Sequence, residues 1–593
     1  MNIKKSPLPG SMLLWNIGLA IFVIGYVAVS LWLLHPTYET NDNFTILRNA
    51  TDGYVVDYAG VLLTGLWHLL YGAAPDMPWY GLTLYSLHAL GIYTWLQALG
   101  RSFKPFWLKA AVALIFLAYY QRFLMKLDYT STGAMLCLAA ITWACLDVME
   151  SRRSRWRFVA AGTVFMLGML ARPQAGWGAL AYGFPVALVA LVGSLRDGMK
   201  SGPLSPIFRG SLSRADRPAS DTTSRLRADG HWRGIAVAAL LFLAPAALNG
   251  LFNASYRHVT MTPAQTEYDE FQTLRVKLAR MNRVRKRQII FNRPVLDSIH
   301  WTRNDAFRYF GWEYYDERKY NPVNLQVLWD NYHRDLPRKD IVLNKLEHRF
   351  SLWPGMFLLL ASIPLFVVVL LRRKLLGVIG MTLPLYCLGL SSAMYLFVIF
   401  AYRTELPFTL GFGFASLTVA GWLVLHESTS ARYLLAACIG AAISLPGAYL
   451  LLANDFDSLQ TRMAQVQNEE QKLDWLNQNA KGAVIFAKAN GGLKLGNLSP
   501  LDPSHQEFDA FSLGWDTFSP DFYHRISALG ITHGYEIPDA LVDRPDAYVL
   551  GPKKWCKTVA DMVDSPSPIQ ILTLHSFLDH TVLCRLTKTP AGT

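Results

Sequence analysis

The stretch Met12–Leu34 (MLLWNIGLAIFVIGYVAVSLWLL) is apolar along its length and follows a basic start, Met1–Lys5 (MNIKK). An apolar run of roughly 17–25 residues is long enough to cross a bilayer as a helix. A signal peptide has a shorter apolar core followed by a small-residue cleavage site, and this stretch has neither feature. We therefore predict a retained first transmembrane helix whose N-terminus is cytoplasmic.

Ten further apolar runs follow, so the predicted fold class is an α-helical multi-pass membrane protein with about eleven transmembrane helices. Of the 593 residues, 52% are hydrophobic and only 17% are charged, whereas a soluble domain has about a quarter charged residues. Six cysteines over this length exclude a disulfide-rich scaffold. The ten runs lie at about 79–99, 106–121, 129–148, 157–171, 176–194, 234–252, 353–371, 375–401, 406–425 and 433–453.

The short loops indicate the orientation of these helices. Loops at 101–104, 152–157 and 372–374 contain groups of Arg and Lys, whereas 39–78 contains one basic residue, Arg48. Because cytoplasmic loops carry the excess of positive charge, the basic loops are predicted inside. The predicted segments are a transmembrane module (1–252, with an outer loop at 35–78 and a cytoplasmic linker at 196–233), a periplasmic helical loop region (253–352), C-terminal transmembrane helices (353–453) and a periplasmic α/β domain (454–593).

Two features of the outer segments are predicted in more detail. The apolar stretch 60–72 is too short to span and is expected to lie on the outer membrane surface. In the C-terminal domain, 482–489 and 547–550 read as buried strands, and 569–576 with 580–587 reads as a hairpin. Cys556 and Cys584 are the only cysteines outside the apolar runs, and an oxidising exterior would allow them to pair or leave two buried thiols.

The outer loops contain the residues that could perform chemistry. Glu39 and Asp42 follow the first apolar run, and either carboxylate could act as a general base toward an acceptor hydroxyl, although a solvated loop would contain the same residues. Asp128 and Tyr129 begin the 129–148 run, where they either line a site near the first loop or, for Asp128, cap the helix.

Arginine stands in two other short outer loops. Arg172 and Arg403 each lie beside an apolar run, and a guanidinium group there suits a phosphate because it can make two parallel hydrogen bonds. Interfacial snorkelling of a long cationic side chain is the alternative.

The long outer loop combines aromatic, acidic and basic residues. Trp301, Asn304 and Asp305, with the aromatic and acidic segment 310–317, resemble a sugar-binding surface, or else a packed core with a polar rim. The basic stretch 275–293 could meet phosphate-bearing headgroups or an anionic glycan, or form a solvated helix face.

Several motifs are absent from the sequence. There is no phosphate-binding P-loop, no Cys/His metal set and no GxSxG nucleophile motif. The spans also lack the central row of ionisable residues that a proton-coupled transporter needs.

Four short motifs resemble those of GT-C-type integral membrane glycosyltransferases, in the bacterial branch that includes the serotype-converting O-antigen glucosyltransferases. They are Asn41–Asn43 (NDN), Trp79–Gly81 (WYG), Tyr129–Thr132 (YTST) and Trp301–Asp305 (WTRND). The chain departs from that pattern where Asn43 replaces a second acid, His300 replaces a Gly, and Thr302 replaces a Ser.

The resemblance implies an inverting transfer at the periplasmic face of a bacterial inner membrane. The donor would be a polyprenyl-phosphate-linked sugar, and the acceptor a surface glycan or lipid-linked glycan. Asp42 or Glu39 would be the base, Arg403 and Arg172 would bind the lipid phosphate, and the acceptor or sugar would contact a set comprising Asp128, Tyr129, Trp301, Asn304 and Asp305.

No cofactor is required, although a divalent cation could assist, and the expected partners are membrane lipids and glycans but no nucleic acid. An O-antigen ligase or polymerase with a diphosphate-linked donor, a non-catalytic lipid or glycan transporter, and an envelope-assembly subunit are the alternatives.

Overall fold

The structure, a computed structural model, is mostly helical with a small β-sheet near the C-terminus. It divides into two compact units, and each unit is built from two separate stretches of the chain. We call Met1–Ala254 with Arg349–Gln460 the helical unit, and Ser255–His348 with Thr461–Thr593 the mixed unit. The structure describes residues 9–39, 59–150, 155–200, 242–256, 262–279, 283–332, 353–393, 402–425, 430–488, 492–502, 507–513 and 517–589, with a few isolated positions between these ranges.

The elements are numbered in chain order within these ranges. The helices are α1 (Pro9–Leu34), α2 (Val61–Ala73), α3 (Trp79–Ser102), α4 (Phe106–Met125), α5 (Tyr129–Met149), α6 (Arg155–Ala171), α7 (Pro173–Lys200), α8 (Pro263–Ala279), α9 (Arg283–Phe291), α10 (Arg293–Ser298), α11 (Arg303–Phe310), α12 (Pro322–Tyr332), α13 (Trp353–Arg372), α14 (Lys374–Ala393), α15 (Tyr402–Leu425), α16 (Ala431–Asp457), α17 (Leu459–Asn479), α18 (Pro520–Ala528), α19 (Ile537–Asp543) and α20 (Lys553–Ala560). The strands are β1 (Thr37–Tyr38), β2 (Lys126–Leu127), β3 (Val484–Lys488), β4 (Asp509–Leu513), β5 (Ala547–Pro552), β6 (Ile569–Ser576) and β7 (Thr581–Lys588).

The described parts of the eleven predicted transmembrane runs are helical, which confirms the α-helical multi-pass membrane class but not the number of spans. Among the described residues, eight helices are long and apolar enough to cross a membrane: α1, α4, α5, α7, α13, α14, α15 and the one that contains α16. The other three runs have less support. Helix α3 does not belong to these eight, α6 has 17 residues, and the run 234–252 is described only from residue 242. The short helix α2 has 13 residues.

Helices α5 and α15 form the centre of the helical unit. Every side chain from Glu405 to Leu425 in α15 is buried. Small residues let α5 approach its neighbours closely, since a Cβ on Gly133 would lie 2.8 Å from the carbonyl oxygen of Gly168 in α6. Such backbone approach is typical of helices that pack within membranes. Helix α1 is different, because most of its side chains are exposed, as expected of a helix that faces lipid.

Charged residues at the C-terminal ends of α3 and α5 form an ion-pair cluster. The Arg101 guanidinium lies 2.6 Å from Oδ1 of Asp147 and 3.0 Å from Oε2 of Glu150. Arg157 at the start of α6 approaches the same Asp147 oxygen at 3.5 Å. Two arginines from the predicted cytoplasmic loops therefore join three helices at one end of the unit.

In the mixed unit, the described residues include a five-stranded sheet in the order β4-β3-β5-β7-β6. Strands β4, β3 and β5 are parallel to one another. Strand β7 is antiparallel to β5, and β6 is antiparallel to β7. The predicted strands correspond to β3, β5, β6 and β7, and the sequence reading missed β4. Cys556 on α20 and Cys584 on β7 form a disulfide with their Cα atoms 6.3 Å apart, which is the pairing left open by the sequence.

Helices α8 to α12 of the mixed unit form an apolar cluster of their own. Its buried members include the rings of Trp301, Tyr309, Tyr314 and Tyr320. Four large rings bury a large apolar area, and this explains why a segment of short helices has a defined core.

Candidate active site at the predicted outer ends of the helices

The first two predicted outer loops pair directly with each other. Strand β1 runs parallel to β2, with Thr37 opposite Lys126 and Tyr38 opposite Leu127. The backbone N–H of Glu39 extends the pairing by donating to the carbonyl oxygen of Leu127 at 3.0 Å. The segment that follows α1 is therefore joined to the segment between α4 and α5 shortly before Asp42 in the sequence.

Asn43 follows Asp42 and is completely buried. Its Oδ1 accepts a hydrogen bond from the Tyr80 hydroxyl at 2.7 Å, and its Nδ2 donates to the Leu127 carbonyl oxygen at 3.4 Å. Tyr80 belongs to α3, and its ring packs edge-on against Trp67 of α2 with centroids 4.8 Å apart. Asn43 thus connects the first loop to α3 and to β2 through both ends of its amide.

Charged side chains meet in a small cleft beside the paired strands. Glu39 lies 3.5 Å from Nζ of Lys126 and 3.9 Å from the guanidinium of Arg122. Arg122 also contacts Asp455 at the end of α16, with Nη1 2.6 Å from Oδ1. The cleft is lined by Glu39, Arg122, Phe123, Lys126, Asp128, Ser131 and Leu406.

Asp128 is the N-cap of α5. Its Oδ2 accepts from the backbone N–H groups of Thr130 and Ser131 at 3.2 Å each, which satisfies donors that a helix start leaves unpaired. The two roles predicted for Asp128 are compatible, since the capping carboxylate also lines the cleft with Glu39.

Arg172 lies against the neighbour of Asp128. Its guanidinium stands 5.0 Å from the ring centroid of Tyr129, and Nη1 is 3.4 Å from the Tyr129 hydroxyl oxygen. The chain reaches this position through the α6–α7 turn, where the Leu170 carbonyl accepts from the N–H of Gly60 at 2.8 Å. The predicted phosphate-binding Arg172 and the predicted sugar-contacting Tyr129 are therefore direct neighbours.

For two of the predicted site residues, Asp42 and Arg403, the structure describes neighbouring residues but not the side chain itself. Asp42 lies outside the described residues, although Glu39 and Asn43 on either side of it are described. Arg403 is in the first turn of α15. Leu406, three residues further along that helix, lines the cleft with Glu39 and Asp128.

Trp301 and Asp305 have structural contacts that differ from the predicted sugar-binding role. Trp301 is 2% exposed, packs against Tyr320 with centroids 5.1 Å apart, and donates its Nε1–H to the Lys319 carbonyl at 3.0 Å. A buried ring offers no free face for a sugar, so the packed-core alternative describes Trp301 correctly. Asn304 is exposed on α11.

Asp305 completes a capping box at the start of α11 with Thr302. Its carboxylate also lies 2.9 Å from Nζ of Lys319. Burial alone would raise the pKa of Asp305, but hydrogen bonds from Thr302 and Lys319 outweigh it and hold that pKa below its usual value. These contacts account for Asp305 without a ligand.

Three basic residues of the stretch 275–293, Arg275, Lys277 and Lys286, lie over aromatic rings, whereas Arg293 is exposed. Arg275 is 1% exposed, with its guanidinium 4.7 Å from the Trp312 ring centroid and Nη1 2.9 Å from the Tyr314 hydroxyl. Lys286 lies 5.6 Å from the Phe310 centroid, and burial lowers its pKa. The solvated helix face that was one alternative for this stretch does not describe Arg275.

Sequence reasoning missed Arg122 and Lys126 as members of the cleft. Arg122 lies in the last turn of α4, and Lys126 follows that helix as the first residue of β2. Their acidic partners, Glu39 and Asp455, come from distant stretches of the chain, so the local sequence has no signal for this cleft.

Among the described residues, no group of three or more His, Cys, Asp or Glu side chains could hold a metal ion. Since Asp42 lies outside those residues, the expectation of an optional divalent cation stays a prediction.

No known family matches the chain, and no curated protein matches it either. Two solved structures are similar to it. The crystal structure of ArnT from Cupriavidus metallidurans bound to undecaprenyl phosphate covers 97% of this chain and 98% of that chain, with 12% identity and a TM-score of 0.40. The Archaeoglobus fulgidus oligosaccharyltransferase in complex with Zn and sulfate covers 91% of this chain and 69% of that chain, with 11% identity and a TM-score of 0.34.

Proposed function

We propose that this protein is a membrane glycosyltransferase of the GT-C type. It transfers a sugar from a polyprenyl-phosphate-linked donor to a cell-surface glycan or lipid-linked acceptor on the periplasmic face of a bacterial inner membrane. The proposal combines the four sequence motifs with the chemistry of the cleft.

The observation that supports it most is the pairing of β1 with β2. This pairing joins the loop that carries Asp42 to the cationic end of α4, where Arg122 and Lys126 lie beside Glu39. A transferase of this kind needs a carboxylate for the acceptor hydroxyl and cations for the leaving phosphate within one site. Both kinds of group occur at these loops.

In the proposed reaction, Asp42 takes the proton of the acceptor hydroxyl as its oxygen attacks the anomeric carbon. The bond between that carbon and the donor phosphate breaks on the opposite side, so the configuration inverts. Polyprenyl phosphate leaves, and cationic groups stabilise its added negative charge. The bond to the lipid phosphate supplies the energy, which fits a sequence without a P-loop.

The cleft contacts suggest how the charged residues divide the work. Glu39 faces Lys126 and Arg122, so we assign the base to Asp42 and give Glu39 the task of orienting these cations. Arg172 and Arg403 remain the phosphate-binding candidates. Arg122 joins them as a positioning residue, because Asp455 already engages its guanidinium at 2.6 Å.

The test compares cells with and without the gene. Loss of the enzyme should remove one sugar mass from a surface glycan or glycolipid and raise the level of polyprenyl-phosphate-linked sugar in the membrane. Mass spectrometry of both fractions measures the two effects. An unchanged glycan together with an unchanged lipid pool would contradict the proposal and favour the envelope-assembly alternative, whereas accumulation of a diphosphate-linked donor would favour a ligase or polymerase.

A further inference from the structure

The mixed unit contains an open cleft of about 850 Å³. One wall is the surface of α8 with Glu267 and Glu270, and the turn Ile299–His300 forms the end. The loop from Asp316 to Asn324 forms the other wall. Sites for small ligands usually measure roughly 300–1,000 Å³, so a short oligosaccharide fits this volume.

Hydrogen bonds within the loop 316–324 fix its shape. Asp316 accepts from both Nε and Nη2 of Arg318, at 2.9 and 3.0 Å. The Lys319 carbonyl accepts from Nδ2 of Asn324 at 2.7 Å and from the buried Trp301 indole at 3.0 Å. The wall is therefore formed before any ligand arrives, which lowers the entropy cost of binding.

The lining combines two chemistries that a sugar ring requires. Pro322 and Val323 offer apolar surface for the C–H face of a ring, and Val323 is 73% exposed. Carboxylates and amides offer acceptors and donors for hydroxyl groups. These polar groups are Glu267, Glu270, Glu317, Asn321 and Asn324, whereas the carboxylate of Asp316 is buried and held by Arg318.

The charge of the cleft restricts the kind of sugar. Four carboxylates line it against two permanent cations, Arg318 and Lys319. Arg318 is paired with Asp316, and Lys319 is paired with Asp305. Glu317 lies 3.1 Å from Nδ1 of His533. Glu267 and Glu270 are exposed on α8 and have no ion pair among the described residues, so an anionic sugar entering the cleft would be repelled and an ammonium group would be attracted.

We propose that this cleft binds an oligosaccharide of neutral or amino-bearing sugars and excludes anionic glycans. The identification of that oligosaccharide as the acceptor rests on the proposed transferase function, but the binding itself does not. Glu267 and Glu270 supply the preference for an amino sugar, and the loop 316–324 supplies the fixed polar wall.

The experiment measures equilibrium binding to the purified full-length protein in lipid nanodiscs, without donor. The probes are a glucosamine tetramer, a neutral cellotetraose and an anionic tetragalacturonate. We expect affinity in the order amino, neutral, anionic. The double variant Glu267→Gln/Glu270→Gln should weaken glucosamine-tetramer binding by about three- to tenfold, the effect of two partly exposed ion pairs, and should change cellotetraose binding much less.

Asp561→Asn, at an exposed acid on the end of α20, is the matched control and should bind all probes as the wild type does. Equal affinity for the anionic and the amino probe, or an unchanged glucosamine affinity in the double variant, would overturn the proposal. The Asp42→Asn protein should bind the probes normally. A variant that loses transfer but keeps its binding preference therefore tests the proposed reaction and not the cleft. A variant that loses its binding preference but keeps transfer tests the cleft and not the reaction.

Discussion

Asn43, the residue after the proposed base, is fixed by hydrogen bonds from both ends of its amide. It stands where the resembling family has a second acid, and its amide accepts from the Tyr80 hydroxyl and donates to the Leu127 carbonyl. A carboxylate could accept from Tyr80 but would face the carbonyl oxygen with its own negative charge. The amide is therefore the side chain that this pair of partners requires.

We predict that Asn43→Asp lowers transfer by about tenfold or more, because a buried unpaired acceptor costs about 1–3 kcal/mol and the loop moves to avoid it. Tyr80→Phe should lower transfer in the same direction with a smaller effect. Transfer of sugar to surface glycan, normalised to protein in the membrane, measures both.

Asn454→Asp is the control, since Asn454 is exposed on the last turns of α16. An Asn43→Asp enzyme as active as the Asn454→Asp enzyme would show that the loop does not depend on this amide.

Asp305 gives a prediction about pH. Its folded pKa is below its unfolded value of about 3.9, so the folded state binds fewer protons there than the unfolded chain. Its contribution to stability is therefore complete above about pH 5 and is lost as the pH falls through the lowered folded pKa. Limited proteolysis of the mixed unit in urea, between pH 2.5 and 6, should show a weaker pH dependence in Asp305→Asn than in the wild type. Equal pH dependence in both proteins would refute this contribution of Asp305 to stability.

Trp301 shows the limit of reasoning from single residues. A tryptophan next to carboxylates fits a sugar site and a packed core equally well, and the local sequence does not distinguish the two. What decides is the approach of Tyr309 and Tyr320 from later in the chain.

At the scale of elements, the helices follow from sequence because their signal is local. An apolar run of sufficient length must pair its own backbone groups in lipid, and a helix does this without partners. Strands β1 and β2 pair through two residues each, and the two strands lie far apart in the sequence. The pairing depends on tertiary contacts between these distant segments, so local sequence patterns do not predict it. Strand β4 (DAFSL) was missed because it contains no β-branched residue and includes Asp509, a residue type that is depleted in strands.

The ion pair between Arg122 and Asp455 links α4 to α16 beside the cleft. We predict that Asp455→Asn destabilises the helical unit, because Asp455 is 2% exposed and its loss leaves a partly buried cation with a weaker partner. The expected result is a lower melting temperature in detergent and lower transfer.

Asp457→Asn, two residues further along α16 at an exposed position, provides the comparison and should melt as the wild type does. If both variants melt at the wild-type temperature, the ion pair contributes nothing to the contact between these helices.

The disulfide between Cys556 and Cys584 closes a loop with a sequence separation of 28 residues. Closing such a loop should stabilise the mixed unit by about 3.5 kcal/mol through the unfolded state. We predict that Cys556→Ser/Cys584→Ser makes this unit markedly more sensitive to protease, whereas Cys438→Ser on α16 has no such effect. Equal protease sensitivity of the three proteins would contradict a stabilising disulfide.

At the scale of the whole molecule, the chain interleaves its two units. It begins in the helical unit, leaves it at Ser255, returns at Arg349 for α13 to α16, and ends in the mixed unit. Charge asymmetry of the loops predicts which side each segment occupies, but the grouping of 253–352 with the tail depends on contacts between distant stretches. No local pattern in the sequence indicates that two of the predicted segments form one unit.

The orientation can be tested with a reporter. We predict that alkaline phosphatase fused after residue 460 is active in the periplasm, and that the same reporter fused at residue 104, in a predicted cytoplasmic loop, is inactive. The opposite pattern would invert the topology and place the cleft of Glu39 and Asp128 on the cytoplasmic side.

The central claim is that Asp42 is the base of a transfer that releases polyprenyl phosphate. The most direct measurement is mass spectrometry of surface glycan in cells that lack the gene and express either the wild type, Asp42→Asn, or the control Asp76→Asn at an exposed outer-loop acid. We predict that the wild type and Asp76→Asn restore the sugar to the same level and that Asp42→Asn, present in the membrane in equal amount, restores none. Restoration by Asp42→Asn at the wild-type level would contradict the claim.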